Sequence, residues 1–363
     1  MEDIKAEVKD FSSKCNKAIL FVYFDDTSFI VKHLHEIKKL QYLLENVVFE
    51  DRVAKLEILS QQNYERQMLN KAINTSIISD KKLTTWFFKG NAVSIKSQND
   101  LNKYLSFVCN SVYDKTPIIR NELFNKQKIS SAISLARVNL LDAMLNHNQE
   151  EDFGFNKQAY PPEKTMYYTL FKSTGIHRQD KDGSWILAAP TNDDIRPLWD
   201  ASMEFLAKSM EGPRKLSELV KTLKSAPYKI KQGVIEIWVP CFLFIKQQEY
   251  ALYNDGNFVL NITKEVFELL QKRMNDFSIK AFNVSGVNLQ LFNKYREFLH
   301  KEQGDTITVN GLMDTIRPFF KFYRSLNEYA KNTSKFDNLS TEKFRNILAT
   351  AKDPCKAMME QPL

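Results

Sequence analysis

Glycine is scarce in this chain, with 10 among 363 residues, whereas globular chains average about 7% glycine. Loops that cradle phosphate groups are built from glycine, because its backbone allows a close approach that side chains would block. Neither the P-loop pattern GxxxxGKS/T nor the dinucleotide-binding pattern GxGxxG can be written with the glycines present. We therefore expect no nucleotide to bind this chain through a P-loop of its own.

Cysteine is also rare, and the four cysteines are far apart in the sequence: Cys15, Cys109, Cys241 and Cys355. A disulfide framework or a structural zinc site needs clustered cysteines, or histidines at ligand spacing. We therefore expect ordinary buried or partly buried thiols, with no metal site and no cofactor in this chain.

Long apolar runs are missing as well. No stretch reaches the length that spans a bilayer, and the first residues do not form a signal peptide. The composition, 43% hydrophobic and 26% charged, is that of an ordinary globular protein, and 363 residues suffice for two or three domains. We expect a cytoplasmic protein without membrane contact. Its formal charge of +7 is compatible with a polyanionic partner.

A compact apolar run near the start, KAILFVYFDD, ends in Asp25 and Asp26. The pattern predicts a buried strand whose acidic end emerges at a sheet edge. A Walker B strand has this form, which makes Asp25 and Asp26 the candidate nucleotide or magnesium residues. Any buried strand with two capping acids has the same form, and this second interpretation is favoured.

Amphipathic helices follow. Apolar residues recur every three to four positions between residues 27 and 48, and Asp51 is placed to cap a second, more polar helix that runs to about Ile73. His33 and His35 are two positions apart on the first helix. They point away from each other there, so they do not form a pair of metal ligands.

The middle of the chain carries another strong helix, which Ser130 or Ser131 caps. Arg120 and Arg137 lie beside its apolar stripe, and we expect both arginines to be solvated or ion-paired. The stretch 146–162 is polar and ends in two prolines, which predicts an internal boundary or an exposed loop.

Residues 213–263 read as two helices followed by a β-hairpin, the order of elements that closes a winged-helix domain. The hairpin turn is Asn254-Asp255-Gly256, and Asp-Gly between alternating apolar runs is a strong hairpin signal, because glycine tolerates the positive φ of a tight turn. The sequence thus predicts a mainly α fold with small β elements (α+β), made of several helical domains and one winged-helix-like module.

The second helix of this module, in KQGVIEIWVPCFLFIK, is apolar nearly all round and has Pro240 in its middle. In a DNA-reading winged helix this recognition helix enters the major groove, so it needs a polar outward face. A helix that is apolar on every side is buried instead. We therefore expect a structural or protein-contact module with this helix as its core.

A basic stretch precedes and flanks the apolar helix. It contains one acid, Glu218, and six basic residues: Arg214, Lys215, Lys221, Lys224, Lys229 and Lys231. Backbone amides at a helix start already favour phosphate. A sequence-independent contact with the backbone of double-stranded DNA is one interpretation of this stretch. A solvated basic face is the other, and it is slightly favoured.

Several stretches together resemble the central part of very large bacterial ATPases of the BREX type (the PglY/BrxC kind), which occur in anti-phage and DNA-modification gene clusters. The stretches are KAILFVYFDD with HEIKKLQYLLENVVFED, TPIIRNELFNKQKISSAISLARVNLLDAML, PPEKTMYYTLFKSTGIHR, KLSELVKTLKSAPYKIKQGVIEIWVPCFLFIKQQEYALYNDGNFV and NTSKFDNLSTEKFRNILATAKDP. They span most of the chain, and none of them is a catalytic motif.

The resemblance implies a P-loop ATPase whose nucleotide-binding motif lies upstream, so that ATP and Mg²⁺ would bind only with that domain present. It implies that residues 1–115 end the NTPase-like α/β region and contain long helices. Residues 116–212 would form a helical region, 213–285 the winged-helix-like module and 286–363 a C-terminal helical region. Without a Walker A motif, the chain is expected to be a fragment or a truncated relative that lacks ATPase activity. Asp25 and Asp26 are the only residues carried toward the nucleotide site.

The leading functional hypothesis is a non-catalytic scaffold segment of a phage-defence-associated ATPase, which contacts partner subunits and in addition the DNA backbone. The first alternative is a stand-alone regulator that binds DNA without sequence preference. The second is a metal-dependent nuclease that uses dispersed acids such as Glu150-Glu151-Asp152 or Asp193-Asp194. These acidic runs are expected to be solvated or capping, and none of them adjoins a histidine or lysine in a nuclease-like arrangement.

Overall fold

A computed structural model describes residues 2–47, 51–78, 84–125, 130–282, 289–299, 301, 309–336 and 338–350. The chain is mainly helical with small antiparallel sheets, which confirms the predicted α+β class. It divides into two compact units, Met1–Asp114 (unit 1) and Lys115–Leu363 (unit 2). The finer division into four regions stays a prediction. The sequence also predicts a strand in FSIKAFNV, which ends at residue 284, and helices over about 288–302, 311–330 and 341–351. Cys355 and the predicted element ends at residues 48, 284, 288, 302 and 351 lie outside the described residues.

Unit 1 combines a small sheet with long helices. Its helices are α1 (Glu2–Lys14), α2 (Ser28–Asn46), α3 (Arg52–Ile78) and α4 (Gln98–Val112), and its strands are β1 (Phe21–Phe24), β2 (Thr84–Phe88) and β3 (Asn91–Val93). The strands pair antiparallel in the order β1-β2-β3. Phe88 of β2 and Val108 and Val112 of α4 form a small apolar core.

Local signals set the ends of these elements. The Asp51 carboxylate accepts the backbone N–H groups of Val53 and Ala54 at 2.9 and 3.1 Å, so the predicted cap of α3 is confirmed. Lys89 and Gly90 have φ values of +47° and +79°, which a tight hairpin turn requires. The apolar sequence LTTWFFKGNAVSI, residues 83–95, predicts a hairpin or strand pair around Lys89-Gly90, and this prediction is confirmed as β2 and β3.

The strand before Asp25 is also confirmed, as β1, but it is not the buried strand that its apolar run predicts. All four of its residues are partly exposed. The reason is its position, because β1 lies at the edge of the sheet and pairs with β2 on one side.

Unit 2 is larger. Its helices are α5 (Glu122–Asn125), α6 (Ser131–His147), α7 (Pro162–Tyr167), α8 (Arg196–Lys208), α9 (Leu216–Lys224), α10 (Gln232–Ile245), α11 (Lys264–Arg273), α12 (Leu289–Phe298), α13 (Val309–Ser325), α14 (Glu328–Asn332) and α15 (Leu339–Thr350). Its strands are β4 (His177–Gln179), β5 (Trp185–Leu187), β6 (Arg214–Lys215), β7 (Tyr250–Asn254), β8 (Asn257–Val259) and β9 (Phe277–Ala281).

Both faces of the main sheet of unit 2 are covered. The sheet is antiparallel, in the order β6-β9-β7-β8, and successive side chains of a strand point to opposite faces. Leu252 and Ile279 belong to the large core that α6 to α11 share. Ala251 and Tyr253 belong to a second core, which Phe320 of α13 and other residues of α12, α13 and α15 complete.

The stretch 146–162 is mostly exposed, as the predicted loop would be, but it is not a boundary between the compact units, because that boundary follows Asp114. A short 3₁₀ turn, Glu151–Gly154, carries Asp152 and Phe153 into the interior, where they are 6% and 1% exposed. Both residues have a φ of +52°, a conformation that residues other than glycine seldom adopt. Phe153 is part of the large core, so that core is continuous across the stretch.

Candidate contact surfaces

Asp25 and Asp26 follow β1 at the sheet edge and are exposed. Asp25 forms a 3.1 Å ion pair with Lys5 and accepts a 3.1 Å hydrogen bond from the Thr85 hydroxyl. Asp26 accepts the backbone N–H of Ser28 at 2.9 Å, and this bond holds the pKa of Asp26 below its usual value. In the described part of the chain, no group of three or more His, Cys, Asp or Glu residues could hold a metal ion.

The hairpin of α2 and α3 is joined by polar pairs along its seam. His33 Nδ1 lies 2.6 Å from Glu65 Oε2, and Gln62 Nε2 donates to Gln41 Oε1 at 2.8 Å. His33 is buried, whereas His35 is exposed, so the two side chains lie on different sides of α2, as their spacing predicts.

Apolar side chains of the hairpin remain uncovered. In the described parts of α2 and α3, the buried residues are His33 and Gln62, and no apolar side chain is buried. The exposed large apolar residues of the two helices are Phe29, Val31, Leu34, Tyr42, Val53, Leu56, Leu59 and Tyr64. Two helices alone do not provide the second layer that would bury these side chains.

Two depressions lie between α2 and α3, and we call them together the hairpin groove. The first is lined by Asp26, Phe29, Ile30, Met68, Lys71, Ala72, Thr75 and Ser76, and the second by Glu36, Leu40, Ser60, Gln61, Tyr64 and Glu65. On α2, seven positions separate Phe29 from Glu36 and four separate Glu36 from Leu40. On α3, four positions separate Tyr64 from Met68. These spacings place each set on one face of its helix. The groove therefore combines apolar walls with charged edges.

The order of elements predicted for residues 213–263 is confirmed. Helices α9 and α10 precede the β7–β8 hairpin, and Asp255 and Gly256 at its turn have φ values of +47° and +78°. The strand predicted in FSIKAFNV, after the hairpin, is confirmed as β9. Its insertion between β6 and β7, and the short strand β6 itself, are not predicted.

The predicted burial of α10 is also confirmed. From Gly233 to Leu243 every residue except Glu236 is buried, and Trp238 Nε1 donates to the Ser202 hydroxyl at 2.9 Å inside the core. Strand β7 of the hairpin is buried, with Ala251 and Tyr253 in the second core, whereas the turn and β8 are exposed or partly exposed. A groove-reading domain needs its recognition helix at the surface, so α10 is not available for reading bases.

The six candidate phosphate contacts differ in their surroundings. Arg214 is half-buried and donates to Glu218 at 3.2 Å and to the Lys208 carbonyl at 3.1 Å. The other five are exposed: Lys215, Lys221, Lys224, Lys229 and Lys231. For Lys221, Lys224 and Lys229 no hydrogen bond or ion pair of the side chain is present among the described residues. Lys215 lies at the opposite end of α9 from Lys224.

A buried polar cluster, which sequence reasoning missed, centres on Asp152. Its carboxylate accepts hydrogen bonds from Lys172 at 2.6 Å, Tyr168 at 2.8 Å and Tyr167 at 3.2 Å. Burial opposes ionisation, but the hydrogen bonds from Lys172 and Tyr168 outweigh it and hold the pKa of Asp152 below its usual value. The expectation that Asp152 is a solvated or capping acid is therefore wrong.

His177 extends this cluster. Its Nε2 lies 3.0 Å from the Asn148 carbonyl and its Nδ1 lies 2.7 Å from the Tyr167 hydroxyl. A carbonyl only accepts, so Nε2 carries the proton and Nδ1 of the neutral ring is an acceptor. The single Tyr167 hydroxyl proton is therefore shared between His177 Nδ1 at 2.7 Å and Asp152 at 3.2 Å. Burial lowers the pKa of His177 and raises that of Tyr167. Every polar atom named here has a protein partner, so the cluster fastens the 3₁₀ turn to the helix and strand that follow it.

The cysteines differ in exposure. The described cysteines are free thiols, with Cys241 buried, Cys15 partly buried and Cys109 exposed. The expectation of buried or partly buried thiols is wrong for Cys109, which lies on the outer side of α4 while Val108 and Val112 face the core.

No known protein family, characterised protein or solved structure matches this chain. Within the described ranges, no helix combines the length and apolar character that crossing a membrane requires.

Proposed function

We propose that this chain is a non-catalytic scaffold segment of a phage-defence-associated ATPase, and that the hairpin groove is its contact surface for a partner subunit. The resemblance of the quoted stretches to BREX-type ATPases supports the biological context. The observation that supports this contact is the exposure of the apolar side chains of α2 and α3. These helices have 19 and 27 residues, and none of their described apolar side chains is buried.

Amphipathic helices are stable in water when their apolar stripe packs against another layer. Each apolar side chain that moves from water into a contact contributes about 1.5–3 kcal/mol when its burial is complete. Exposed apolar surface of this kind marks interaction sites in folded proteins. A partner that covers Phe29, Tyr64 and Met68 would supply the missing layer.

The chemistry of the groove favours an amphipathic helix as that partner. A groove between two antiparallel helices accepts a third helix, whose apolar face packs between the walls. The α2 side is acidic, with Asp26 and Glu36, whereas the α3 side carries Lys71 and also Glu65, whose Oε2 lies 2.6 Å from His33 Nδ1. A helix with basic residues along the edge that faces α2 fits this arrangement.

The contact is tested by affinity purification of the tagged full chain from cells that contain the native partners. The groove variant is Phe29→Ser, Tyr64→Ser and Met68→Ser together. The control is Val31→Ser, Tyr42→Ser and Leu56→Ser, which removes exposed apolar groups of the same hairpin that do not line the groove. We expect a helical subunit of the assembly to accompany the wild type and the control and to be lost from the groove variant. Equal recovery with both variants, while circular dichroism shows both folded, would contradict the proposal.

The non-catalytic part has its own test. Asp25 and Asp26 are engaged by Lys5, Thr85 and the start of α2, and the sequence offers no Walker A motif. We expect the purified chain to hydrolyse Mg-ATP no faster than its Asp25→Ala variant. Hydrolysis by the wild type that the substitution abolishes would refute this part of the proposal.

A further inference from the structure

We infer that the end of α9 and the turn after it form a contact site for the sugar-phosphate backbone of duplex DNA, held by Lys221, Lys224 and Lys229. We call these three residues the lysine patch. The inference does not rest on the proposed function, because the patch lies in unit 2 and the hairpin groove lies in unit 1.

The backbone brings the three lysines together. Lys221 and Lys224 are three positions apart on α9, so their side chains are neighbours on the helix surface. The chain then folds back, because Lys229 N–H donates to the Ser225 carbonyl at 2.9 Å and Ile230 N–H donates to the Leu223 carbonyl at 2.8 Å. This turn returns Lys229 to the last turn of the helix.

Favourable interaction with the helix dipole explains only part of the patch. Lysines in the last turn of a helix are stabilised by its C-terminal carbonyls, which accounts for Lys221 and Lys224. Lys229 lies beyond the helix and has a φ of +51°, so neither the dipole nor ordinary backbone preference places a third cation there. Glu218, the one acid between residues 214 and 231, is engaged by Arg214.

The surroundings of the patch favour phosphate over other anionic partners. The large apolar residues of the same stretch, such as Leu219, Leu223 and Ile230, are buried, and none is exposed between residues 214 and 231. An acidic peptide or a membrane surface would also bind through apolar anchors, which this stretch does not offer. A nucleic acid backbone fits better, because its phosphates present repeated single negative charges that lysines bind without apolar contacts.

The buried elements define the mode of binding. Because α10, the helix that would enter the major groove, is buried, it is not free to read base edges there. The site therefore binds duplexes of unrelated sequence with equal affinity. Three neutralised phosphates give a slope of about −2.7 for log K against log salt, so affinity falls about 40-fold between 50 and 200 mM salt.

Fluorescence anisotropy of the full chain with two labelled 30-base-pair duplexes of unrelated sequence tests the inference. The patch variant is Lys221→Gln, Lys224→Gln and Lys229→Gln. The control, Lys181→Gln, Lys321→Gln and Lys335→Gln, removes three exposed lysines of other elements. We expect equal affinity for both duplexes, the slope given above for the wild type and the control, and at least tenfold weaker binding by the patch variant at 50 mM salt.

Three outcomes would overturn the inference: no binding by the wild type at 50 mM salt, patch and control variants that bind alike, or binding to anionic phosphatidylserine vesicles but not to DNA. The single variant Lys224→Gln provides a second readout and should reduce the slope by about 0.9. The groove variant separates this inference from the proposed function, since it should bind DNA as the wild type does.

Discussion

Arg137 of α6 and Glu236 of α10 form an ion pair inside unit 2. The Arg137 side chain is 2% exposed and that of Glu236 is 17% exposed, and Gly233, one turn earlier in α10, lies against the same guanidinium group. The expectation from the sequence, a solvated or ion-paired arginine, is thus met by the ion pair. The close packing around this pair fixes how α6, α10 and α5 approach one another.

Replacing Gly233 with alanine should lower the free energy of unfolding. Alanine is the better helix former by about 1 kcal/mol, but a Cβ at this position would lie 2.5 Å from Arg137 Nη2 and 2.8 Å from the Phe124 carbonyl oxygen. The cost of overpacking is about 1–3 kcal/mol, so packing outweighs helix propensity. Urea denaturation measures the change. Gly212→Ala, where the new Cβ meets open space, serves as the control and should leave stability unchanged or slightly raised.

Removing one member of the buried ion pair should destabilise unit 2 strongly. Glu236→Gln leaves the buried Arg137 charge uncompensated, and such a loss costs about 3–5 kcal/mol. The double variant Arg137→Met with Glu236→Gln removes the charge that would be stranded, so it should be less destabilised than the sum of the two single variants. A double-mutant cycle from urea denaturation measures this difference. Additive effects would show that the two side chains do not interact.

The stability of unit 2 should fall as the pH decreases below about 6.5. Burial lowers the pKa of His177 from its usual 6.5, so the unfolded chain binds a proton at this residue at a pH where the folded chain does not. The contribution of His177 to the free energy of unfolding is fully present above its pKa in the unfolded chain, and it is lost as the pH falls below that pKa. His177→Gln should show a shallower decline in unfolding free energy between pH 7 and 5.5. Parallel declines for the wild type and the variant would rule out His177 as the group responsible.

Thiol labelling should distinguish the cysteines. Cys109 is exposed, whereas Cys241 is buried in α10, where burial raises the pKa of its thiol, and the reactive species is the thiolate. Ellman's reagent should therefore react with Cys109 in the folded protein and with Cys241 only after unfolding. Cys109→Ser should reduce the fast-reacting thiols by one, and Cys241→Ser should leave their number unchanged. A fast phase that depends on Cys241 would contradict the burial of α10.

Elements with local signals could be predicted from the sequence. The Ser130 hydroxyl accepts the backbone N–H of Ile133, which decides between the two serines predicted to cap α6. The sequence predicts a helix that begins at Pro162 and ends at Gly175; Pro162 occupies the first turn of α7, and Gly175 has a φ of +72°. The sequence also predicts Thr263 as the cap of the helix in EVFELLQKRM, and Thr263 occupies the N-cap position of α11, although its side chain does not accept a hydrogen bond from the helix backbone.

The Asp152 cluster could not be predicted, because its parts have no common periodicity. Asp152 lies in a stretch whose polar composition indicates a loop, and its partners Tyr167, Lys172 and His177 follow 15 to 25 positions later. The positive φ of +52° at Asp152 and Phe153 directs this part of the chain into the interior. The residue types at these positions do not predict that conformation. A buried carboxylate with three hydrogen bonds is a tertiary feature, which single-sequence patterns do not contain.

The hairpin groove was beyond prediction for a different reason. The apolar spacing of α2 predicts an amphipathic helix, and Asp51 marks the start of the next one. The apolar spacing does not predict how many other helices pack against the apolar stripe. Only the exposure of Phe29, Tyr64 and their neighbours shows that α2 and α3 lack a third helix among the described residues.

The proposed contact through the hairpin groove is tested most directly by site-specific photo-crosslinking with p-benzoylphenylalanine in place of two tyrosines of the same hairpin. Tyr64 lines the groove and Tyr42 does not, while their exposures, 59% and 63%, are matched. The account predicts that the probe at position 64 crosslinks to one partner protein in cells and that the probe at position 42 does not. Equal crosslinking at both positions, or none at position 64, would contradict it.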